Sequence, residues 1–157
     1  MVPVPVTPAT PPPPPAPPAV AKRHGGPLVD VGLSREPDPA NYAFARVGYE
    51  FPLVDRLYLM GLVGGYVRWM GNDGGSAFTA DAMLDYHWLS RLSFGLGAGY
   101  WSGRDGQIDL IANLGFRLAG DPDGRNTSLF LDVRLPADDL GNSDKFGRYG
   151  LGLRFRL

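Results

Sequence analysis

Cysteine is absent from all 157 residues, which excludes disulfides, thiolate metal centres and cysteine nucleophiles. Its absence is compatible with an oxidising periplasm without requiring one. A basic surplus is missing too. The 15 Lys and Arg stand against 16 Asp and Glu, with no basic stripe of the sort a nucleic-acid partner calls for. No apolar run is long enough to cross a bilayer as a helix. The longest, Leu57 to Val67, falls well short of the roughly 20 residues needed. The opening Met1-Val2-Pro3-Val4-Pro5 has neither a basic nor an apolar segment and does not read as a signal peptide. Export would therefore require a leader that has been removed or replaced by Met1, or a sequence that is a fragment of a longer one.

Proline is plentiful but confined. Residues 1–26 hold Pro11-Pro12-Pro13-Pro14-Pro15 in a Pro/Ala/Val/Thr context, then Lys22-Arg23-His24 and Gly25-Gly26. Such a run favours extended polyproline II and cannot build a packed core. It is expected to be a tail or linker, with docking to an aromatic-lined groove as the sharper alternative. Residues 27–157 form the second region.

From Pro27 onward apolar residues recur at every second position, the period of a strand with two unlike faces. Eight such segments follow one another. One face collects Val29, Val31 and Leu33 on the first and Leu151, Leu153, Phe155 and Leu157 on the last, with no charge at any of its positions. The other face holds six acids, Asp30, Glu50, Asp81, Asp85, Asp109 and Asp132. It also holds eight arginines, Arg46, Arg68, Arg91, Arg117, Arg134, Arg148, Arg154 and Arg156.

Size decides which face points in. A barrel of about eight strands encloses a space only just filled by side chains. Trp69, Phe78, Trp88, Phe94 and Phe116 on the apolar face could not share it. The charged face carries Gly32, Gly48, Gly64, Gly95, Gly97, Gly99, Gly115, Gly150 and Gly152, the small partners a narrow interior needs. Aromatic residues gather towards both ends of the apolar band, as in membrane barrels. The expectation is an all-β fold, an eight-stranded antiparallel up-and-down transmembrane β-barrel with an N-terminal Pro-rich extended segment. An even strand count puts both termini on one side, here called the tail side. Tight turns are expected there at Pro52–Arg56 and Leu89-Ser90 and a somewhat longer turn at Asp121–Gly124, with short loops on the far side at Glu36–Ala40, Gly71–Ser76, Gly103–Gly106 and Ala137–Asp144.

Over residues 27–157 the chain resembles the small eight-stranded outer-membrane barrels of the OmpA type. Its end, Gly152-Leu153-Arg154-Phe155-Arg156-Leu157, is similar to the C-terminal strand of that family, which usually finishes on Phe. The resemblance implies a bacterial outer membrane, contact with its lipid and both termini in the periplasm. It also implies recognition of Gly152, Phe155 and Leu157 by the barrel-assembly machinery during insertion.

Among the inward charges, Arg forks can bond carboxylates while staying charged, and a narrow lumen makes unpaired charge expensive. By level along the strands, Arg68 is expected near Asp81, Arg91 near Asp85, and Asp30 with Glu50 near Arg154 or Arg156. A closed, salt-bridged lumen is the expectation, and the two surplus arginines make a narrow anion-preferring pore the alternative. A surface adhesin is a further alternative, though the far-side loops are short. Enzyme activity is not expected. His87 near Asp85 suggests a His–Asp pair, but Ser90 is a turn residue and no nucleophile with an oxyanion site accompanies it. No cofactor or metal is expected: the loop acids lack the spacing of a calcium loop, and Gly95, Gly97 and Gly99 lie on one strand face, leaving room for Arg and Tyr side chains of adjacent strands.

On the apolar face, Ala43, Ala45, Gly61, Gly65, Ala80 and Ala82 form a smooth patch. Small residues permit close approach of a neighbouring membrane element, so the patch or the tail could meet a membrane or periplasmic protein partner. The expected role is a structural anchor or envelope-assembly component.

Overall fold

The computed structural model describes residues 24–37, 40–71, 75–103, 106–122, 124–138, 140–142 and 147–157. Residues 1–23 of the expected tail, Thr10 among them, and the far-side residues Asp73, Asp105 and Asp139 lie outside them. Eight strands run β1 Gly26–Glu36, β2 Ala40–Val54, β3 Leu57–Met70, β4 Ala77–His87, β5 Leu92–Trp101, β6 Gln107–Gly120, β7 Asn126–Pro136 and β8 Arg148–Arg156. Each pairs antiparallel with the next, and β1 pairs with β8 to close the barrel. Closure leaves no edge of unpaired N–H and C=O groups.

The period-2 pattern becomes two faces with inverted polarity. Leu96 is 53% exposed on the outside, while Arg46 is 1% exposed within. Trp69, Trp88, Phe94, Leu114, Phe116 and Leu151 are likewise exposed. A continuous apolar outer wall of this extent has no place in water. Among the described strand residues Arg35 is the only charge on the outer face, at the far rim beside Tyr149.

The turns differ from expectation in detail. β2 continues through Pro52 to Val54, with a register irregularity between them, and the tight turn is Asp55-Arg56. Pro52 lacks the N–H a ladder needs, and an irregularity at a rim accommodates that. Arg56 adopts the left-handed conformation at φ 65°, which such a short connection demands. On the far side β1 extends through Glu36, so that residue lies inside the barrel, 1% exposed, and not in a loop.

Inside, two apolar clusters flank the charges. One, nearer the far rim, contains Tyr42, Phe44, Tyr66, Trp101 and Phe130 with Ala40 and Ala77. The other, nearer the tail side, contains Leu28, Met60, Leu62, Met83 and Ile111. The inward glycines let strands and side chains meet between them. A Cβ on Gly99 would lie 2.2 Å from Asp81 Oδ1, and one on Gly32 would lie 2.4 Å from the Leu151 carbonyl. Gly95 and Gly97 face Asp85 and Met83, and Gly99 faces Asp81 and Ile111. The space is therefore taken by acids and aliphatics of adjacent strands, and the expected Arg and Tyr occupants are not there. The reason is that the buried tyrosines and arginines lie on β2, β3, β7 and β8, and none lies on β4 or β6, the neighbours of β5.

Candidate functional site: the charged lumen and its tail-side mouth

A central ionic cluster gathers side chains from β1, β2, β4, β7 and β8. Arg46 reaches Asp30 at 3.0 Å, Asp81 at 3.2 Å and Asp132 at 3.1 Å. Arg134 bonds Asp81 with both Nη atoms and Asp132 through Nε at 3.2 Å. Arg154 takes Asp30 in a bidentate grip, Nε to Oδ1 at 2.8 Å and Nη2 to Oδ2 at 2.8 Å. Arg148 continues the cluster towards the far rim by pairing with Asp109. Charge-assisted and bidentate bonds of this type are the strong ones. They offset the cost of removing the ions from water because both oxygens of Asp30, Asp81, Asp109 and Asp132 have donors.

Aromatic rings cover the guanidinium faces that the carboxylates leave open. Arg46 lies 4.9 Å from the Phe44 ring centroid, Arg154 lies 5.0 Å from Phe130, Arg134 lies 5.5 Å from Tyr66 and Arg148 lies 4.0 Å from Trp101. A desolvated cation over a ring is worth roughly 2 kcal/mol. These inward rings were not singled out from the sequence. A signal exists: Phe44–Arg46 and Phe130–Arg134 place an aromatic and an arginine at even spacing on the same inward face.

Several expected pairings change. Asp81 is held by Arg46 and Arg134, not by Arg68, which is half-buried nearer the far rim. Arg91 falls in the turn before β5 and is exposed, and Asp85 pairs with His87 instead. Arg117 is half-buried at the tail-side rim, where it donates to the Ser90 carbonyl. With Glu36 inside and Arg91 outside, seven acids (Asp30, Glu36, Glu50, Asp81, Asp85, Asp109, Asp132) face seven arginines (Arg46, Arg68, Arg117, Arg134, Arg148, Arg154, Arg156) among the described residues. The surplus that suggested anion preference is not there.

The tail-side mouth is built differently. Glu50 on β2 and Asp85 and His87 on β4 converge across β3. His87 Nε2 lies 3.0 Å from Asp85 Oδ2 and 3.7 Å from Glu50 Oε1. Arg156 Nη1 lies 3.1 Å from Glu50 Oε2, while its Nη2 donates to the His24 carbonyl. The Tyr58 ring packs against the imidazole at 4.6 Å and holds its orientation. These residues border a cavity of about 50 Å³, shared with Ser93, Arg91, Arg117 and Arg154. That is room for a few water-sized groups and not for an organic solute.

On the outer wall, Ala43, Ala45, Gly61, Gly65, Ala80 and Ala82 all face outward. A Cβ on Gly61 would meet nothing within 4 Å. In β8, Gly152 faces inward, where a Cβ would lie 2.7 Å from the Phe130 ring. Phe155 is on the outer face, paired with Val29 of β1, and Leu157 follows the end of the strand.

No protein-family model matches the sequence, and no curated protein matches it. Solved barrels share its fold. The de novo designed TMB2.3, solved by solution NMR, aligns with a TM-score of 0.54 at 17% identity, over 88% of this chain and 98% of its own. The Yersinia pestis outer membrane protein Ail, in a phospholipid bilayer nanodisc, aligns with a TM-score of 0.51 at 12% identity, over 85% and 100%. Neisserial surface protein A, NspA, aligns with a TM-score of 0.53 at 11% identity, over 85% and 96%. At these identities the likeness is one of fold.

Proposed function

We propose that this chain is a bacterial outer-membrane β-barrel protein whose lumen is plugged by arginine–carboxylate pairs, and that it anchors its Pro-rich segment at the periplasmic face. The observation that carries this reading is the inverted polarity. Large apolar side chains cover the outside of a closed barrel while Arg46, Arg134 and Asp81 sit dry within. Only a lipid surrounding makes both halves of that arrangement favourable. Solved outer-membrane barrels of the same fold, Ail and NspA among them, support the location. The OmpA-type assignment remains a resemblance in pattern and strand count.

The filled centre supports an anchor over a pore, since water and ions would have to pass Arg46 and Arg134. On this reading Gly152, Phe155 and Leu157 serve the assembly machinery, and the Pro-rich segment ahead of β1 forms a periplasmic spacer. The tail or the smooth face of Ala43, Ala45, Gly61, Gly65, Ala80 and Ala82 would carry a protein partner.

The cysteine-free chain allows a clean test. Single cysteines at Thr10 and Asp139, labelled in intact cells with an impermeant thiol reagent, should react at Asp139 and stay protected at Thr10. The reverse pattern would overturn the proposed orientation. Purified protein in planar bilayers should show no steady conductance, and a large stable conductance would overturn the plug.

A further inference from the structure

The tail-side mouth holds a donor set that the plugged lumen does not use. The geometry points to a binding site for a divalent first-row transition-metal ion, zinc being the ion that fits best, ligated by Glu50, Asp85 and His87 at the barrel mouth. One atom from each residue lies within 4.8 Å of the others. Tetrahedral zinc, with bonds of about 2.0–2.2 Å, sets its donors roughly 3.3–3.6 Å apart. The distances of 3.0 and 3.7 Å from His87 Nε2 to the two carboxylates bracket that spacing.

A second observation is independent of the clustering. Asp85 has a side chain only 3% exposed, yet its Oδ1 has no hydrogen-bond partner. That oxygen lies over Gly95, where a Cβ would come within 3.2 Å of it. A buried carboxylate oxygen without a donor is costly, and a metal ion gripped by both Asp85 oxygens would satisfy it. The adjoining cavity, bordered by all three residues, leaves space for a water in the fourth position.

Charge allows the ion. Glu50 and Asp85 carry two negative charges, and Arg156 balances one of them at 3.1 Å through Glu50 Oε2. Glu50 Oε1 stays available on the His87 side. Arg91, Arg117 and Arg154 border the same cavity and oppose cation entry, so the affinity should be moderate. One imidazole and two carboxylates suit zinc or manganese better than copper(I), which prefers sulfur. A proton on His87 competes with the metal, because the ligand must be the neutral ring.

Bound metal would tie β2 to β4 over the rim of β3. Its test uses the detergent-folded full chain, stripped with chelator and titrated with zinc alone at mildly alkaline pH. One zinc per chain is expected, and binding should weaken at mildly acidic pH as the proton wins. His87→Ala and Glu50→Gln should each weaken binding by at least about tenfold. His24→Ala, which removes the other histidine of the chain, should leave it unchanged. Zinc should also raise the temperature of the folded-to-unfolded gel shift in the parent and not in His87→Ala. Each variant is first checked for the folded gel mobility. Should His87→Ala fail to fold, Glu50→Gln and the intensity of the visible spectrum of the cobalt-loaded parent decide. No saturable binding, or binding that survives loss of Glu50 or His87 and falls with His24, overturns the site and leaves the group as an ion pair.

Discussion

At the centre of the lumen, Arg46 and Arg134 each hold more than one carboxylate and lie under aromatic rings. At the tail-side mouth, Glu50 and Asp85 meet a half-exposed histidine, and some of their oxygens lack donors. Both places are built from carboxylates and nitrogen cations on inward strand faces. They differ in saturation. At the centre both oxygens of Asp30, Asp81 and Asp132 have donors, an arrangement suited to closing the barrel. The mouth has donors left over and a cavity beside them, so it can take a ligand. Whether a charged cluster is structural or receptive is set by which of its polar atoms remain unmet.

The largest effect should come from breaking the centre. Asp81→Ala removes the carboxylate that Arg46 and Arg134 share and leaves Asp30 and Asp132 to balance them, and the loss of a partner from a dry network costs on the order of 3–5 kcal/mol. The urea midpoint of the folded barrel in detergent should fall accordingly, with no rise in conductance if the lumen collapses around the gap. A midpoint unchanged would put water at the centre and erase the contrast with the mouth.

A methyl group sharpens the same comparison from the other side. Gly99→Ala drives a Cβ into the space of Asp81 Oδ1 and should cost about 1–3 kcal/mol by overpacking. At the mouth, Glu50→Gln should cost less, about 1 kcal/mol, because the stranded Arg156 can turn towards the cavity and water. Smallest of all, Gly61→Ala on the outer wall meets nothing and should stay within about 0.5 kcal/mol of the parent. The order Asp81, Gly99, Glu50, Gly61 in denaturation midpoints is the measurement. A Gly61 effect as large as that of Gly99 would mean the outer wall is packed against something in the purified state.

The two faces and the number of strands were legible because period-2 alternation survives any shift of register. The pairings were not. Matching residues by level along adjacent strands assigns Asp81 to Arg68, whereas Arg46 reaches across to Asp81 on β4 and Asp132 on β7. In a narrow closed lumen the long guanidinium stems span the interior, so the nearest charge is often not on the next strand. Strand ends were the other weak point. One residue decided Arg91, since β5 begins at Leu92 after a turn closed by Leu89 and Leu92. The opposite error concerned Glu36, whose inward placement follows from β1 running further than its apolar pattern. At the mouth, His87 and Asp85 stand two apart and share a face, which the sequence displays. Glu50 joins them only through the register of β2, β3 and β4, in which Glu50 pairs with Met60 and Met60 with Met83.

Asp30 receives its two guanidinium partners from opposite ends of the chain, Arg46 sixteen positions later and Arg154 at a separation of 124. The first partner is at hand as soon as the opening hairpin exists, while the second arrives only with the final strand. A nascent sheet still short of β8 therefore carries half-neutralised acid along its open seam, in a setting where such charge is heavily penalised. Long sequence separation also makes this contact the slowest to form. The seam thus couples closure to charge balance: the first strand's acid is fully met only when the last arginine docks.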